Sequence, residues 1–170
     1  MTSLFQTHSI QGTAGESPQL LITAGVHGDE YEGMVAIRQL ISTLEPTKLR
    51  GRLTLVPVVN ESAFALRARA GSDDLDLART CPGSAEGTLT ERVAHDLTRL
   101  INNTYYYIDL HTGGSIMQVD PLAGYNLVSD PAILDTQRRM ARAFGLPIIW
   151  GTSADLDGRS LSVARDAGVP

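Results

Sequence analysis

The chain has 170 residues, 42% of them hydrophobic and 19% charged, which is enough for one domain with a real core and excludes a disordered chain. A formal net charge of −5 argues against a nucleic-acid or anionic-membrane surface. The single cysteine, Cys81, excludes a disulfide framework and a cysteine-only zinc site.

The N-terminus, Met1-Thr2-Ser3-Leu4-Phe5-Gln6-Thr7, has no basic region followed by an apolar run, so no signal peptide is expected there. No apolar stretch approaches the length of a membrane span, and a reducing cytoplasm is the expected location. Leu4 to Ile10 alternates loosely and suggests a first strand; Gly12 to Pro18 reads as a turn. Gln19 to Ala24 is a short apolar run with a β-branched centre, the pattern of a central strand. Gly25 and Gly28 flank His27 and allow a tight turn. From Asp29, expected as the N-cap, the period changes. Met34, Ile37, Leu40, Ile41 and Leu44 fall at three- and four-residue spacing, predicting an amphipathic helix closed by Pro46. Leu53 to Val59 predicts the next strand, and the succession suggests a βαβ crossover.

Asn60 to Gly87 shows little periodicity, and a loop of that length in a compact domain is expected to be functional. It carries Arg67, Arg69, Asp73, Asp74, Asp76, Arg79 and Cys81. Thr88-Leu89-Thr90-Glu91 fits a capping box, with Val93, Ala94, Leu97, Leu100 and Ile101 as the buried face of the helix it opens. Thr104 to Leu110 predicts a strand that ends at His111, followed by Gly113-Gly114. Leu122 to Val128 suggests another strand. A helix is expected from Pro131 to about Phe144, with Ile133, Leu134, Met140, Ala141 and Phe144 inward, and Gly145 as its stop. Leu146 to Trp150 predicts a strand, Gly151 to Gly158 a loop, and Ser160 to Asp166 a short helix. The alternation predicts an α/β three-layer sandwich around a mostly parallel, mixed central sheet.

His27 and His111 both stand where predicted strands end, the edge on which sites gather in open α/β sheets. His27 and Glu30 are three residues apart, and His111 offers a distant third donor; the bland alternative is two satisfied loop histidines. Two short-spaced ligands and one distant one leave a fourth zinc position for water, the arrangement of a catalytic site. Asp109, two residues before His111, shares its strand face and could support it, or could be an ordinary strand-end polar residue. Cys81 reads as a small buried hydrophobe, His8 and His95 as structural or exposed, and Trp150 with Tyr105-Tyr106-Tyr107 as sheet residues.

Several stretches together carry a resemblance: Gly25-Val26-His27-Gly28-Asp29-Glu30; Pro57-Val58-Val59-Asn60 with Ala63-Phe64; Asp76-Leu77-Ala78-Arg79 with Pro82-Gly83; Ile108-Asp109-Leu110-His111-Thr112-Gly113; and Ser160-Leu161 with Gly168-Val169-Pro170. In this order the chain resembles the succinylglutamate desuccinylase/aspartoacylase family of the zinc carboxypeptidase clan, across nearly its whole length. The resemblance implies one zinc ion held by His27, Glu30 and His111. It implies a catalytic arginine at Arg69 and substrate-binding arginines at Arg79 and Arg67, for a small substrate that bears a carboxylate. A guanidinium suits both tasks, being always charged and able to bind a carboxylate with two N–H groups. As plain loop residues, Arg67 and Arg69 would balance the nearby aspartates.

Two departures stand beside it. The family's asparagine before Arg79 is Ala78, which cannot offer an amide to a carboxylate. The family's general-base glutamate belongs on the strand after Gly-Val-Pro, and this sequence reaches Pro170; neither Glu32 nor Glu86 fits that place. The expectation is a single zinc-hydrolase-like domain over residues 1–170, cut before the base strand and the family's small β domain, that binds zinc but hydrolyses poorly. The implied activity is a deacylase acting on an N-acyl amino acid. The alternatives are a carboxypeptidase-type metallopeptidase, and a non-catalytic zinc- or carboxylate-binding relative. Neither nucleic acid nor membrane is an expected partner, and the sequence leaves a homo-oligomer open.

Overall fold

The structure is a computed structural model that describes residues 4–16 and 18–170. Met1-Thr2-Ser3 of the expected leaderless N-terminus, and Ser17 of the expected turn, lie outside the described residues. The strands are β1 (His8–Gln11), β2 (Gln19–Ala24), β3 (Arg52–Val56), β4 (Tyr106–Leu110), β5 (Leu122–Leu127) and β6 (Ile148–Ser153). The helices are α1 (Tyr31–Thr43), α2 (Glu61–Leu66), α3 (Leu89–Ile101), α4 (Pro131–Phe144) and α5 (Ser160–Asp166), with 3-10 turns at Pro46–Lys48 and Leu77–Arg79.

β2 lies at the centre of a four-stranded sheet of order β1-β3-β2-β4. It runs parallel to β3 and β4, while β1 pairs antiparallel with β3. Side chains alternate across the sheet, and the sequence sorts them accordingly. Leu53 and Leu55 of β3 pack with Met34 and Ile37 of α1 on one face. Leu21, Val56 and Tyr107 pack with Val93, Leu97 and Ile101 of α3 and Val163 of α5 on the other. That is the expected mixed, three-layered α/β arrangement. The register sets Thr23 beside Asp109 and Ala24 beside Leu110, so β2 and β4 end together on one edge of the sheet.

β5 and β6 form a separate parallel pair among the described residues, rather than extending the central sheet. A cleft of about 220 Å³ lies between β4 and β5, lined by Tyr107, Asp109, His111, Leu122, Tyr125 and Gln137 among others. Beside it the carbonyl of Pro170 accepts the backbone N–H of Tyr107 at 3.0 Å.

Several boundaries differ from expectation for local reasons. The expected N-cap, Asp29, is not one: α1 has Glu30 at its N-cap position without a side-chain cap bond. Asp29 instead accepts the Ser115 N–H at 3.3 Å and its hydroxyl at 3.2 Å. β3 stops at Val56, yet Val59 and Asn60 still donate to the carbonyls of Ala24 and Gly25. The long loop contains α2, too short for periodicity to reveal; Asn60 caps it by accepting Ala63 N–H at 3.1 Å, and Arg67 ends it with φ 54°. β6 begins two residues later than expected and includes Gly151 to Ser153, which pair in parallel register with Tyr125 to Leu127 of β5. Phe144, expected inward, is exposed. The Thr88–Glu91 capping box forms as expected. Among the described residues, no helix is long and apolar enough to cross a membrane.

Candidate metal centre

The turn after β2 is built for close approach. Gly25 takes φ +70°, and a Cβ on Gly28 would sit 2.0 Å from the carbonyl carbon of Ala63. Glycine therefore lets α2 lie directly on the backbone beside His27, and Gly28 N–H donates to Ala68 O at 3.0 Å. That packing carries the following loop, with Arg69 and Asp76, up to the histidine.

Glu30 is the hub. Its Oε1 lies 2.7 Å from His27 Nδ1 and its Oε2 lies 2.9 Å from His111 Nδ1. The Thr112 backbone N–H donates to Oε2 at 2.9 Å, and the Thr112 hydroxyl donates to Glu32 at 3.0 Å. With the Ser115–Asp29 bonds, these tie the loop after β4 to the start of α1. The three donor atoms of His27, Glu30 and His111 lie within 4.8 Å of one another.

Each histidine turns its other nitrogen to a carboxylate. His27 Nε2 donates to Asp76 Oδ1 at 3.0 Å, and His111 Nε2 donates to Asp109 Oδ2 at 3.1 Å. A carboxylate only accepts, so each ring has an acceptor at both nitrogens; with a metal ion between Nδ1 and Glu30, Nε2 is the nitrogen left to carry the proton toward Asp76 or Asp109. Nδ1 and a glutamate oxygen can share a cation between them. A proton can be that cation, and so can a metal ion. The three donors are close enough together for one ion to reach all of them. Two imidazoles and a carboxylate are a zinc-type donor set.

Electrostatics agree. Three largely buried carboxylates, Glu30, Asp76 and Asp109, surround the cluster. Burial pushes Glu30 up, but hydrogen bonds from His111, His27 and Thr112 outweigh it and hold the carboxyl well below the usual range. Burial would lower His111, yet Asp109 and Glu30 raise it to about 10. The centre thus retains positive charge strongly, which is also the property of a cation site.

Arg69 is brought to this centre. Its Nε and Nη2 donate to Asp76 Oδ2 at 3.2 and 3.0 Å, and Nη1 lies 3.4 Å from His27 Nδ1 and 3.8 Å from Glu30 Oε1. Among the described residues, neither Arg67 nor Arg79 shares the ion pairs that Arg69 makes with Glu30 and Asp76. Arg67 is the exposed C-cap of α2, and the exposed Arg79 donates to the carbonyl of Ala78 at 2.6 Å. Ala78 contributes through its backbone, its N–H donating to Asp76 Oδ1 at 2.9 Å. Cys81 is buried in the core, its thiol pushed up to about 12 by burial and by the charge of Asp109.

Sequence reasoning missed Asp76 as the partner of His27, 49 residues away, because nothing local marks such a contact. It also missed Thr23 and Ser160, which donate to Asp109 at 2.7 Å each.

The chain is similar to known proteins over most of its length. Residues 16–170 match the model of the succinylglutamate desuccinylase/aspartoacylase catalytic domain. The chain is 38% identical over 138 residues to an N-alpha-acetyl-L-2,4-diaminobutyric acid deacetylase of Halomonas elongata, covering 78% of this chain and 40% of that protein. A succinylglutamate desuccinylase/aspartoacylase structure from Rhodobacter sphaeroides is 30% identical with a TM-score of 0.88, over 97% of this chain and 49% of that one. The product-bound ectoine utilization protein EutE of Ruegeria pomeroyi is 31% identical with a TM-score of 0.87, over 96% and 50% respectively. The chain spans about half the length of these relatives or less. Matched over most of its length, it belongs to the succinylglutamate desuccinylase/aspartoacylase family.

Proposed function

We propose that the chain is a single zinc-hydrolase-like domain that binds one zinc ion through His27, Glu30 and His111 and serves hydrolysis of the amide bond in a small N-acyl amino acid. The observation that carries this reading is the convergence of two Nδ1 atoms on Glu30, each histidine being held from behind by its own carboxylate. A bound zinc ion would polarise the scissile carbonyl and lower the pKa of a water molecule toward about 7.

The chain's own residues supply the rest. Arg69, held by Asp76, keeps a guanidinium beside the centre, where it can stabilise negative charge developing on the carbonyl oxygen. Arg79 and Arg67, both exposed, are the arginines proposed to bind the substrate carboxylate. The general base is assigned to none of the glutamates described. Relatives that deacylate a small amino-acid derivative support the substrate class. Ala78 leaves the carboxylate pocket without an amide donor, which favours a less selective, carboxypeptidase-type variant as the second reading.

Zinc content after chelator-free purification tests the proposal first, with about one ion per chain expected. A chain that holds no zinc and acquires none on addition would sink the metal assignment. A full-length version tested on N-acetyl amino acids and on short peptides separates the readings. Preferential peptide cleavage would favour the second, and zinc binding without turnover of either would mark a non-catalytic relative.

A further inference from the structure

The core under α5 contains a polar patch that packing alone does not explain. Thr23, Tyr107 and Ser160 are all buried, on the face of the sheet that otherwise holds Leu21, Val56, Leu97 and Val163. Burying hydroxyls there costs stability unless each is bonded. All three connect to one carboxylate. Thr23 Oγ1 donates to Asp109 Oδ1 at 2.7 Å, and Ser160 Oγ donates to Asp109 Oδ2 at 2.7 Å. Tyr107 Oη lies 2.9 Å from Thr23 Oγ1.

The directions are fixed by counting protons. Asp109 can only accept, so the one hydroxyl proton of Thr23 goes to it. Tyr107 must then donate to Thr23. His111 Nε2 donates to the same Oδ2 that Ser160 occupies. Asp109 therefore receives three hydrogen bonds from three elements: β2, α5 and the end of its own strand. With both oxygens held, its plane cannot turn, and it presents one defined acceptor to the imidazole.

We propose that Thr23 and Ser160, with Tyr107 behind Thr23, are positioning residues for the metal centre. They lock the Asp109 carboxylate, and through it the ring of His111, so that Nδ1 faces Glu30. The inference rests on the proposed zinc reading of the cluster. It gives α5, which contributes no ligand, an indirect part, through Asp109, in how tightly the metal is held.

The test is zinc affinity by chelator competition, with the melting temperature of the metal-free protein measured alongside. Ser160→Ala and Thr23→Val each remove one hydroxyl and should weaken zinc binding about tenfold, the lower end of the effect of removing a carboxylate or other partner behind a ligand. Thr23→Ser keeps the hydroxyl and should stay within about threefold of wild type. Thr54→Val, which removes a buried sheet hydroxyl bonded to Gln19 at 3.1 Å, should leave zinc affinity unchanged. In nitrogen-15 spectra of the zinc-loaded protein, the His111 Nε2–H signal should be slow to exchange in wild type and faster in Ser160→Ala.

Zinc affinity within twofold of wild type in Ser160→Ala and in Thr23→Val would overturn the inference. So would a loss equal to that of Thr54→Val, since it would reflect general loosening. Should Thr23→Val fail to fold, Ser160→Ala decides, because it lies at the start of a short helix. A wild-type chain that binds no zinc would overturn the metal reading itself. Zinc bound normally by wild type and by both variants would overturn only the positioning role.

Discussion

Asp76 Oδ1 accepts from His27 Nε2 at 3.0 Å, across 49 residues of chain, while its Oδ2 holds Arg69 at 3.0 Å. One carboxylate thus fixes both a candidate metal ligand and the arginine beside it. Burial raises its pKa, but the charges of His27 and Arg69 and the Ala78 N–H hold it below the usual range. Asp76→Ala should weaken zinc binding about 10- to 100-fold and release Arg69 to solvent. Chelator competition measures the first effect. Undiminished affinity would mean that His27 needs no support from behind.

Zinc uptake should depend on pH with a definite sign. His111 of the metal-free protein has its pKa raised to about 10, so it is protonated at neutral pH and must lose that proton to take a metal. Apparent affinity should rise about tenfold per pH unit between pH 6 and 9. Calorimetric titrations in buffers of different ionisation enthalpy should count about one proton released. A flat profile would mean that His111 gives up no proton when zinc binds.

The metal-free protein should show the matching stability trend. A group whose pKa is raised by folding stabilises fully below its unfolded value, near 6.5, and loses that contribution as pH climbs through the folded value. Thermal melts of metal-free protein should therefore fall from pH 7 to pH 10, and zinc-loaded protein should fall less. Parallel declines in the two forms would assign the trend to other groups.

A second carboxylate supports the arginine loop from its far end. Asp73 accepts the Thr90 N–H at 2.8 Å and its hydroxyl at 2.6 Å, anchoring the loop to the start of α3. Slight burial raises its pKa, but the bonds from Thr90 outweigh this and lower it to about 2. Asp73→Ala should cost about 1 kcal/mol in urea unfolding at neutral pH. Because the folded pKa is depressed, the contribution is present above about pH 4 and lost as pH falls through 2. The gap between wild type and variant should narrow over that range; a gap constant with pH would exclude the charge as its source.

Gly28→Ala should be among the more damaging small substitutions. Its Cβ would meet the Ala63 backbone at 2.0 Å, and that backbone cannot yield without moving α2. A loss of roughly 2 kcal/mol is expected, with weakened zinc binding because Arg69 and Asp76 travel with α2. A stable variant with intact zinc affinity would show that α2 is free to shift.

Much of the fold is legible in the sequence where one short segment decides its own structure. Gln19–Ala24, Pro131–Phe144 and Ser160–Asp166 run as the residues predict, because an apolar run, a proline start or a glycine stop acts locally. α2 is not legible, since six residues give no period and its cap is a single asparagine. The separation of β5 and β6 from the central sheet has no local signature either. At the site, His27 and Glu30 are legible because strand, turn and helix place them together. His111 is legible as a strand end. Asp76, Thr23 and Ser160 are not, because their roles exist only after distant segments meet. Asp29 misled, being a good cap by type but recruited by Ser115.

The most direct test is a calorimetric zinc titration of metal-free wild type beside His27→Ala, Glu30→Gln and His111→Ala. One site per wild-type chain is expected, with loss of that site in each variant. Absence of binding to wild type, or binding that survives all three substitutions, would contradict the metal assignment.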